Sequence, residues 1–384
     1  MQKKRTEPYM ATYLHRKGRQ FGLPIAGNFE LTARCNFDCP MCYVHLKQED
    51  INAAGKELTA EQWIEIARQA KERGMVFALL TGGEPFVRKD FFEIYKAMKA
   101  MGLFISINSN GSMLDGEIRQ KLLEDPPFRM NISLYGGCNE TYKNMCGQAA
   151  FDRVFENIRA LKTAGIDICL NVSITPYNCG DIENIYSAAQ ELGVNVRAAS
   201  YMYPPVRINT ELYGCGNRLS PKEAARCSVR CDTLRFTSEE FALRAVNMKN
   251  LISTEEKECS VESDDGVKCR AGSTSFWMTW DGKMLPCGMM PYPAAHPLET
   301  GFDEAWRQIM KQTKQIRTPS ACNVCSKKEI CSVCAAICVT ETGAFDKVPL
   351  YICEMTDEIE AATWNEYLER KGSGYENQER ADKT

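Results

Sequence analysis

The sequence has no apolar run that approaches the ~20 residues of a membrane-spanning helix. Its first twenty residues contain six lysines and arginines but no apolar segment, so they do not form a secretory signal. The formal net charge of -3 gives no field strong enough to attract nucleic acid or an anionic membrane. We therefore expect a cytoplasmic protein with no nucleic-acid or membrane partner.

Histidine is scarce, with three residues, and no G-x-G-x-x-G motif follows the first predicted strand. The scarcity of histidine disfavours mixed cysteine/histidine zinc sites. The missing glycine motif counts against a Rossmann fold. Cysteine, in contrast, occurs 19 times, in tight clusters. In a reducing cytosol such clusters bind metal more often than they form disulfides. All-thiolate sites remain, either iron–sulfur or four-cysteine zinc.

Six predicted strands alternate with five clear helices between residues 27 and 198, and a possible sixth helix follows at 221–229. In the first strand, at 28–33, Phe29 and Leu31 alternate with polar neighbours. In the first helix, at 59–73, apolar residues such as Trp63 and Ile66 mark one side. This alternation predicts a parallel sheet covered by helices. The fold class is thus α/β, either a partial (βα)6 TIM-like barrel or a doubly wound sheet.

The pattern divides the chain into five parts. An N-terminal extension (1–26) precedes the barrel (27–235), and a charged bridge (236–262) leads to a small cysteine-rich domain (263–357). The last part (358–384) is predicted to be a helix that ends in a polar, disordered tail from Lys371 onward.

The first predicted strand runs directly into Cys35-x3-Cys39-x2-Cys42-Tyr43. Three thiolates on one short loop can hold three irons of a cubane and leave the fourth iron open, whereas an electron carrier would need four cysteines. Barrel enzymes place their chemistry at the carboxyl ends of their strands, where this loop lies. Buried structural cysteines or a partial zinc site are the alternatives.

This loop resembles the signature of the radical S-adenosylmethionine (SAM) superfamily. The resemblance implies that Cys35, Cys39 and Cys42 bind a [4Fe-4S] cluster, that SAM binds the open iron, and that Tyr43 contacts the adenine. It also implies reductive cleavage of SAM to a 5′-deoxyadenosyl radical, which abstracts a hydrogen from the substrate. The cofactors carry this hard step, while the protein binds, orients and excludes water.

The residues Gly82-Gly83-Glu84-Pro85, after the second predicted strand, resemble the family's GGEP motif, which holds the SAM amino group. Glycine lets a backbone approach a ligand closely, and Glu84 offers a negative charge near a cation. The resemblance also implies SAM-binding positions at the ends of the next strands, at Asn108, Asn110, Ser133 and Asn171.

Eight cysteines fall between residues 268 and 353, and their spacing resembles that of the SPASM domain through Cys331. The next cysteine, Cys334, comes one residue too early for that pattern, and Cys338 follows it. The resemblance implies two auxiliary [4Fe-4S] clusters. The outer one would be ligated by Cys322, Cys325, Cys331 and Cys353.

The inner auxiliary cluster would be ligated by Cys269, Cys287 and one of Cys334 or Cys338. Its fourth ligand is not identified by the resemblance. Cys259 is one candidate, and the alternative is that the fourth iron is open to substrate or solvent. A four-cysteine zinc ribbon is the alternative for this domain, because two C-x2-C pairs are typical of such sites.

The remaining cysteines are expected to be small core residues. Cys138 or Cys146 could instead be a hydrogen-donating thiol near the barrel mouth. Cys227 and Cys231, one helical turn apart, could form a pair or a metal site. The remaining cysteines of this group are Cys169, Cys179 and Cys215.

Modification of a ribosomally made peptide or protein, by crosslinking, oxidation or epimerisation, is the first functional hypothesis, since relatives with both domains catalyse such reactions. The short N-terminal extension lacks a leader-binding domain, so a separate leader-binding protein is a possible partner. Maturases that form formylglycine carry an acidic residue directly after the cysteine that aligns with Cys287. This chain has Gly288 there, which disfavours that activity.

A small-molecule substrate, such as a tetrapyrrole side chain or an alcohol that is dehydrogenated, is the second hypothesis. Arg197 and Arg207 could then bind substrate carboxylates. A non-catalytic iron–sulfur scaffold is the third, and it is disfavoured because the intact cysteine loop and GGEP motif would have no purpose there. Either enzyme would be an oxidoreductase that needs an electron donor such as flavodoxin or ferredoxin.

Overall fold

The computed structural model describes residues 9–44, 46, 49–51, 55–207, 217–252 and 265–381, with side chains as far as 372. Cys215 and Cys259 lie outside these ranges. No helix in the described part of the chain is both long enough and apolar enough to cross a membrane.

The described strands form one eight-stranded sheet with the order β6-β5-β4-β3-β2-β1-β7-β8. Neighbouring strands from β1 to β6 are parallel, β7 is parallel to β1, and β8 is antiparallel to β7. The predicted α/β class with a parallel sheet is thus confirmed. The strands are β1 (Ala26–Glu30), β2 (Phe77–Thr81), β3 (Phe104–Ser109), β4 (Arg129–Ser133), β5 (Ile168–Ser173), β6 (Asn195–Ala199), β7 (Ser275–Met278) and β8 (Met284–Leu285).

Helices connect the strands and bury their apolar faces in a common core, which includes Trp63, Ile94 and Ile158. They are α1 (Tyr9–Phe21), α2 (Ala60–Glu72), α3 (Phe91–Ala100), α4 (Gly116–Glu124), α5 (Asn139–Cys146), α6 (Phe151–Thr163), α7 (Ile182–Glu191), α8 (Pro221–Arg235), α9 (Ser238–Leu251), α10 (Pro297–Thr300), α11 (Phe302–Thr313), α12 (Ser320–Val324), α13 (Ala335–Thr342) and α14 (Leu350–Ala381).

Local sequence explains where several helices begin. At the start of α2 the Thr59 hydroxyl accepts a hydrogen bond from the backbone of Gln62, whose side chain accepts one from the backbone of Thr59. This reciprocal capping satisfies backbone donors that the first turn leaves without partners. The same arrangement begins α8 at Ser220 and Glu223.

Two parts of the structure differ from the sequence prediction. The region predicted as a bridge contains the helix α9, which begins at a capping box formed by Thr237 and Glu240. The terminal segment predicted to be disordered from Lys371 onward instead continues α14 to Ala381.

The strand β7 comes from the cysteine-rich region and pairs with the outer edge of β1, where Trp277 is the register partner of Asn28. The sequence pattern did not predict this seventh parallel strand. Because β1 also leads into the first cysteine loop, this pairing joins the cysteine-rich region to the strand that carries that loop.

Candidate active site

The glycine turn after β2 packs directly against the backbone that leads into the first cysteine loop. The N–H of Gly83 donates to the Thr32 carbonyl at 2.8 Å, and the N–H of Glu84 donates to the Arg34 carbonyl at 2.9 Å. A Cβ atom at Gly82 would lie 2.5 Å from the Thr32 oxygen, and one at Gly83 would lie 2.3 Å from the Arg34 oxygen. Glycine is therefore required because two backbones touch, a contact within the protein in addition to the ligand contact expected from the sequence.

The Glu84 carboxylate is completely buried and joins the ends of β2 and β3. It accepts hydrogen bonds from the Ser109 hydroxyl at 3.0 Å and from the backbone N–H groups of Asn110 at 2.7 Å and Phe86 at 3.3 Å. Burial raises the pKa of Glu84 to about 7, and these hydrogen bonds oppose the rise. A nearby cation stabilises the charged form of such a carboxylate.

Asn110 connects the end of β3 to the cysteine loop. Its Nδ2 donates to Asn36 Oδ1 at 2.8 Å and lies 3.8 Å from the Cys35 sulfur. Asn36 in turn donates to the Ser112 hydroxyl at 2.8 Å, and the backbone N–H of Phe37 lies 3.4 Å from the same sulfur. The end of β3 thus fixes the conformation of the loop from outside.

The three cysteines of this loop lie together. Burial raises the pKa of Cys35 to about 12, and the charge of Cys42 adds to the rise. A hydrogen bond with Cys146, followed by burial, raises the pKa of Cys39. Thiols buried to this degree become thiolates when a cation lies beside them, so this donor set fits an iron–sulfur cluster.

Cys146, the last residue of α5, is a neighbour of the loop that the motif did not reveal. Its sulfur is buried and donates to the Tyr142 carbonyl at 3.0 Å, while its own carbonyl accepts from the N–H of Asp38. The thiol thus packs behind the loop, whereas Cys138 is exposed.

The other predicted SAM-binding residues lie on adjacent strands. Ser133 and Asn171 are register partners on β4 and β5, and Asn108 on β3 accepts a hydrogen bond from Asn131 at 2.9 Å. Pro85 is buried and begins a short 3-10 turn. The structure therefore places Glu84 and Asn110 against the cysteine loop, while Asn108, Ser133 and Asn171 lie on the neighbouring strands.

Glu30 and Arg207 form a buried ion pair at the carboxyl end of β1 that the sequence did not predict. The Glu30 carboxylate is 0% exposed and accepts hydrogen bonds from Arg207 Nε at 3.1 Å, Arg207 Nη2 at 2.9 Å and the Trp277 indole at 2.9 Å. The Arg207 side chain is 7% exposed. Burial raises the pKa of Tyr43, and the charges of Glu30 and Cys287 add to that rise. The ion pair thus lies between the first cysteine loop and the cysteine-rich region.

The two arginines predicted to hold substrate carboxylates do not form a common site. Arg197 is exposed on β6, whereas Arg207 is buried against Glu30, so that prediction is wrong. Gly288 packs on the ring of Trp277, where a Cβ atom would lie 2.7 Å from ring carbons. No side chain fits at this position without movement of the indole.

The cysteines predicted to ligate an outer cluster line one cavity, beside Thr356. The Thr356 hydroxyl lies 3.5 Å from the Cys331 sulfur. Burial raises the pKa of the thiols of Cys322 and Cys353, and the charges of other thiols in the set add to the rise. The cavity is lined by Cys322, Cys325, Cys331 and Cys353.

A second set consists of Cys269, Cys287 and Cys334. Burial raises the pKa of Cys287 to about 11, and the charges of Cys334 and Cys269 add to the rise. Cys334 is the residue that precedes α13, whereas Cys338 lies one turn into that helix and is 0% exposed. Of the two cysteines left open by the sequence, Cys334 is therefore the one beside Cys287.

The other described cysteines have free thiols, so Cys227 and Cys231 do not form a disulfide, and both are buried in the core. Within the described ranges, no three histidine, cysteine, aspartate or glutamate side chains converge closely enough to hold a single metal ion. This finding concerns mononuclear sites, since a cubane distributes its thiolates over separate irons.

Comparison with known proteins identifies the class. Residues 29–189 match the model of the radical SAM superfamily. The AdoMet-dependent heme synthase of Methanosarcina barkeri is 27% identical over 335 residues, which cover 83% of this chain and 93% of that protein. A probable GTP 3',8-cyclase of Saccharolobus islandicus is 33% identical over 179 residues, or 46% of this chain, and this chain spans 56% of its length.

Two solved structures have the same fold. Streptococcus suis SuiB, bound to its precursor peptide SuiA, matches with a TM-score of 0.65 at 17% identity and covers 92% of this chain and 82% of its own. Native anSMEcpe with bound AdoMet matches with a TM-score of 0.66 at 14% identity and covers 90% of this chain and 99% of its own.

Residues 29–189 therefore form a radical SAM domain, and the chain is a radical SAM enzyme. Its C-terminal region is rich in cysteine. The radical SAM match implies a [4Fe-4S] cluster and SAM as cofactors.

Proposed function

We propose that this enzyme abstracts a hydrogen atom from a ribosomally made peptide or protein and thereby modifies it. The observation that carries this proposal is the three-cysteine loop, which the Gly82-Gly83 turn and Asn110 hold at the end of β1. When bound and reduced, the cluster at this loop would supply the electron that cleaves SAM to a 5′-deoxyadenosyl radical.

The residues of the chain bind and orient SAM. Glu84 and the backbone of Gly82 and Gly83 would receive its amino group, since the buried Glu84 carboxylate has no cationic partner in the described part of the chain. Tyr43, next to the third cysteine, would contact the adenine. The remaining positions proposed for SAM are Pro85, Asn108, Asn110, Ser133 and Asn171.

Ten of the eleven predicted cluster ligands fall into three sets. Cys35, Cys39 and Cys42 hold the SAM-cleaving cluster, and the cavity-lining set of four holds an outer auxiliary cluster. Cys269, Cys287 and Cys334 hold an inner one, and Cys338 is left as a core residue. The auxiliary clusters would accept the electron that the substrate loses, which makes the enzyme an oxidoreductase that exchanges electrons with a carrier such as flavodoxin or ferredoxin.

The contacts of Arg207 favour a peptide over a carboxylate-rich substrate. Glu30 neutralises Arg207, so the pair as a unit presents no net positive charge to a substrate carboxylate. Structures of the same fold bind peptides, as SuiB does with SuiA. A separate leader-binding protein could present the peptide. The similarity to a heme synthase over most of the chain supports a tetrapyrrole as the second candidate.

The cofactor assignment is tested on protein reconstituted without oxygen. We expect about twelve irons per chain, about four for each cubane, and 5′-deoxyadenosine when SAM and a reductant are added. Replacing Cys35, Cys39 and Cys42 with alanine should abolish 5′-deoxyadenosine and leave about eight irons. Persistent SAM cleavage in that variant would overturn the active site. Zinc with about four irons would replace the auxiliary clusters by a zinc site.

The substrate class is tested by deuterium transfer to 5′-deoxyadenosine. One reaction contains a deuterated peptide pool, made by digesting protein from cells grown in deuterated medium, and the other contains a deuterated iron tetrapyrrole. The triple-alanine variant is the control for both. Deuterium from the peptides alone would support the proposal, whereas deuterium from the tetrapyrrole alone would establish the second candidate.

A further inference from the structure

Glu57 lies just before α2 and contacts the backbone that leads into the first cysteine loop. Its carboxylate accepts hydrogen bonds from Arg34 Nε at 3.0 Å and from Arg34 Nη2 at 2.7 Å. The Thr32 hydroxyl donates to the same carboxylate and accepts from the backbone N–H of Arg34 at 3.0 Å. Because Arg34 directly precedes Cys35, one carboxylate holds the segment that enters the loop.

The glycine turn contacts the same segment through its backbone. The Thr32 carbonyl accepts from the N–H of Gly83, and the Arg34 carbonyl accepts from the N–H of Glu84. These bonds use main-chain atoms, whereas the Thr32 and Arg34 side chains bind Glu57. The Glu57 carboxylate therefore fixes the backbone on which the turn packs, and with it the position of Glu84 relative to the loop.

Arg88 connects the segment before α2 to the same contact. Its buried guanidinium donates to the Leu31 carbonyl at 2.9 Å, to the Leu58 carbonyl at 3.0 Å and to the Asp90 carboxylate at 2.7 Å. It also lies 3.7 Å from the Glu57 carboxylate. The end of β1, the start of α2 and the residues after the glycine turn thus meet around Glu57.

We propose that Glu57 is a positioning residue for SAM, which acts through Arg34 and Thr32 to hold the first cysteine loop in place against Glu84. This inference rests on the proposed function, since it requires a cluster on that loop and SAM at Glu84. SAM would contact both the open iron and Glu84, so its affinity depends on how the two are placed. Loss of a partner that orients metal-binding groups typically costs about 10- to 100-fold in affinity or activity.

The test uses the full-length chain reconstituted without oxygen. Glu57→Gln keeps the size of the side chain and removes the charge that receives the two donors of Arg34. Iron content is measured first, and the Kd for SAM is then determined by equilibrium dialysis with labelled SAM. We expect the iron content of the parent protein and a Kd that is about 10- to 100-fold higher.

Asp232→Asn is the matched control. Asp232 accepts from Arg244 Nε at 2.8 Å, and the two side chains are 19% and 46% exposed, against 17% and 42% for Glu57 and Arg34. This ion pair joins α8 to α9, neither of which carries a residue proposed to bind SAM or a cluster. The variant should therefore have the parental Kd for SAM.

A second variant shows whether Glu57 acts through Arg34, and it tests the proposal even if Glu57→Gln does not fold. Arg34→Gln removes the guanidinium and keeps the carbonyl that accepts from Glu84, and we expect it to raise the Kd as well. The double variant Glu57→Gln/Arg34→Gln should bind SAM about as tightly as the weaker-binding single variant. Effects that multiply instead would show that the two side chains act independently, which would overturn the proposed role.

The remaining outcomes are distinguishable. A parental Kd in Glu57→Gln with full iron content would overturn the inference alone, and so would an equal rise of the Kd in Asp232→Asn. Loss of about four irons from Glu57→Gln but not from Asp232→Asn would show that the carboxylate is needed for the cluster and does not act on SAM. Absence of SAM binding by the parent protein would overturn the proposed SAM site and this inference with it.

Discussion

The backbone N–H of Asn110 donates a 2.7 Å hydrogen bond to the Glu84 carboxylate, and this contact joins the GGEP turn to the end of β3. The Asn110 side chain at the same time reaches Asn36 and the Cys35 sulfur. One residue therefore couples the carboxylate proposed for the SAM amino group to the loop proposed for the cluster. Both halves of the proposed SAM site therefore depend on the end of β3.

The raised pKa of Glu84 predicts a pH-dependent stability of the cluster-free protein. The pKa is about 7 in the folded state and near its ordinary value of 4.5 when unfolded, a difference that corresponds to roughly 3 kcal/mol. Below pH 4.5 both states are protonated, and between 4.5 and 7 only the unfolded state loses its proton. The stabilising contribution of Glu84 therefore falls as pH rises through this window and is constant above it.

The variant Glu84→Gln cannot ionise and should lack this dependence. Urea unfolding of both proteins at several pH values is the measurement. We expect the free energy of unfolding of wild type, relative to that of the variant, to decrease by up to about 3 kcal/mol between pH 4.5 and pH 8. Parallel curves across this range would contradict the raised pKa.

The buried pair of Glu30 and Arg207 predicts a large loss of stability when one partner is removed. Glu30→Gln leaves the Arg207 charge buried and uncompensated, which should cost about 3–5 kcal/mol in urea unfolding. Glu183→Gln, which breaks an exposed ion pair with Arg230, is the control and should cost less than about 1 kcal/mol.

The double variant Glu30→Gln/Arg207→Met separates the charge effect from the loss of packing. With no charge left buried, it should be more stable than Glu30→Gln alone. The alternative is that the double variant loses as much stability as Glu30→Gln and Arg207→Met together. The two charges would then contribute to stability independently, with no energetic coupling between them.

The sequence predicted the features that depend on local pattern. The alternation of apolar residues placed the first six strands and their helices, and the spacing of Cys35, Cys39 and Cys42 identified the loop, because both signals lie within a few residues. β7 was missed because it has four residues and pairs with a strand about 250 residues earlier. No local periodicity encodes such a contact.

The same argument explains which site residues were missed. Glu30 and Arg207 are 177 residues apart, and each is an ordinary charged residue until the fold brings them together. The choice between Cys334 and Cys338 was open because they lie one helical turn apart. The start of α13 leaves Cys334 near Cys287 and buries Cys338, which supports Cys334 as the proposed ligand.

The contact between Gly288 and Trp277 predicts that even a methyl group at position 288 is destabilising. Its Cβ would lie 2.7 Å from ring carbons of an indole that is held by a hydrogen bond to Glu30. Gly288 does not have a positive φ, so the cost of Gly288→Ala is steric. We expect a loss of about 1–3 kcal/mol in urea unfolding, as for other overpacked sites.

Gly180→Ala is the matched control, because a Cβ there would meet no heavy atom within 4 Å and Gly180 also lacks a positive φ. It should leave stability unchanged or raise it slightly, since alanine restricts the unfolded chain. Repeating Gly288→Ala in a Trp277→Phe background should reduce its cost, because the smaller ring leaves room for the methyl group. An equal cost in both backgrounds would show that the indole of Trp277 is not the source of the penalty at position 288.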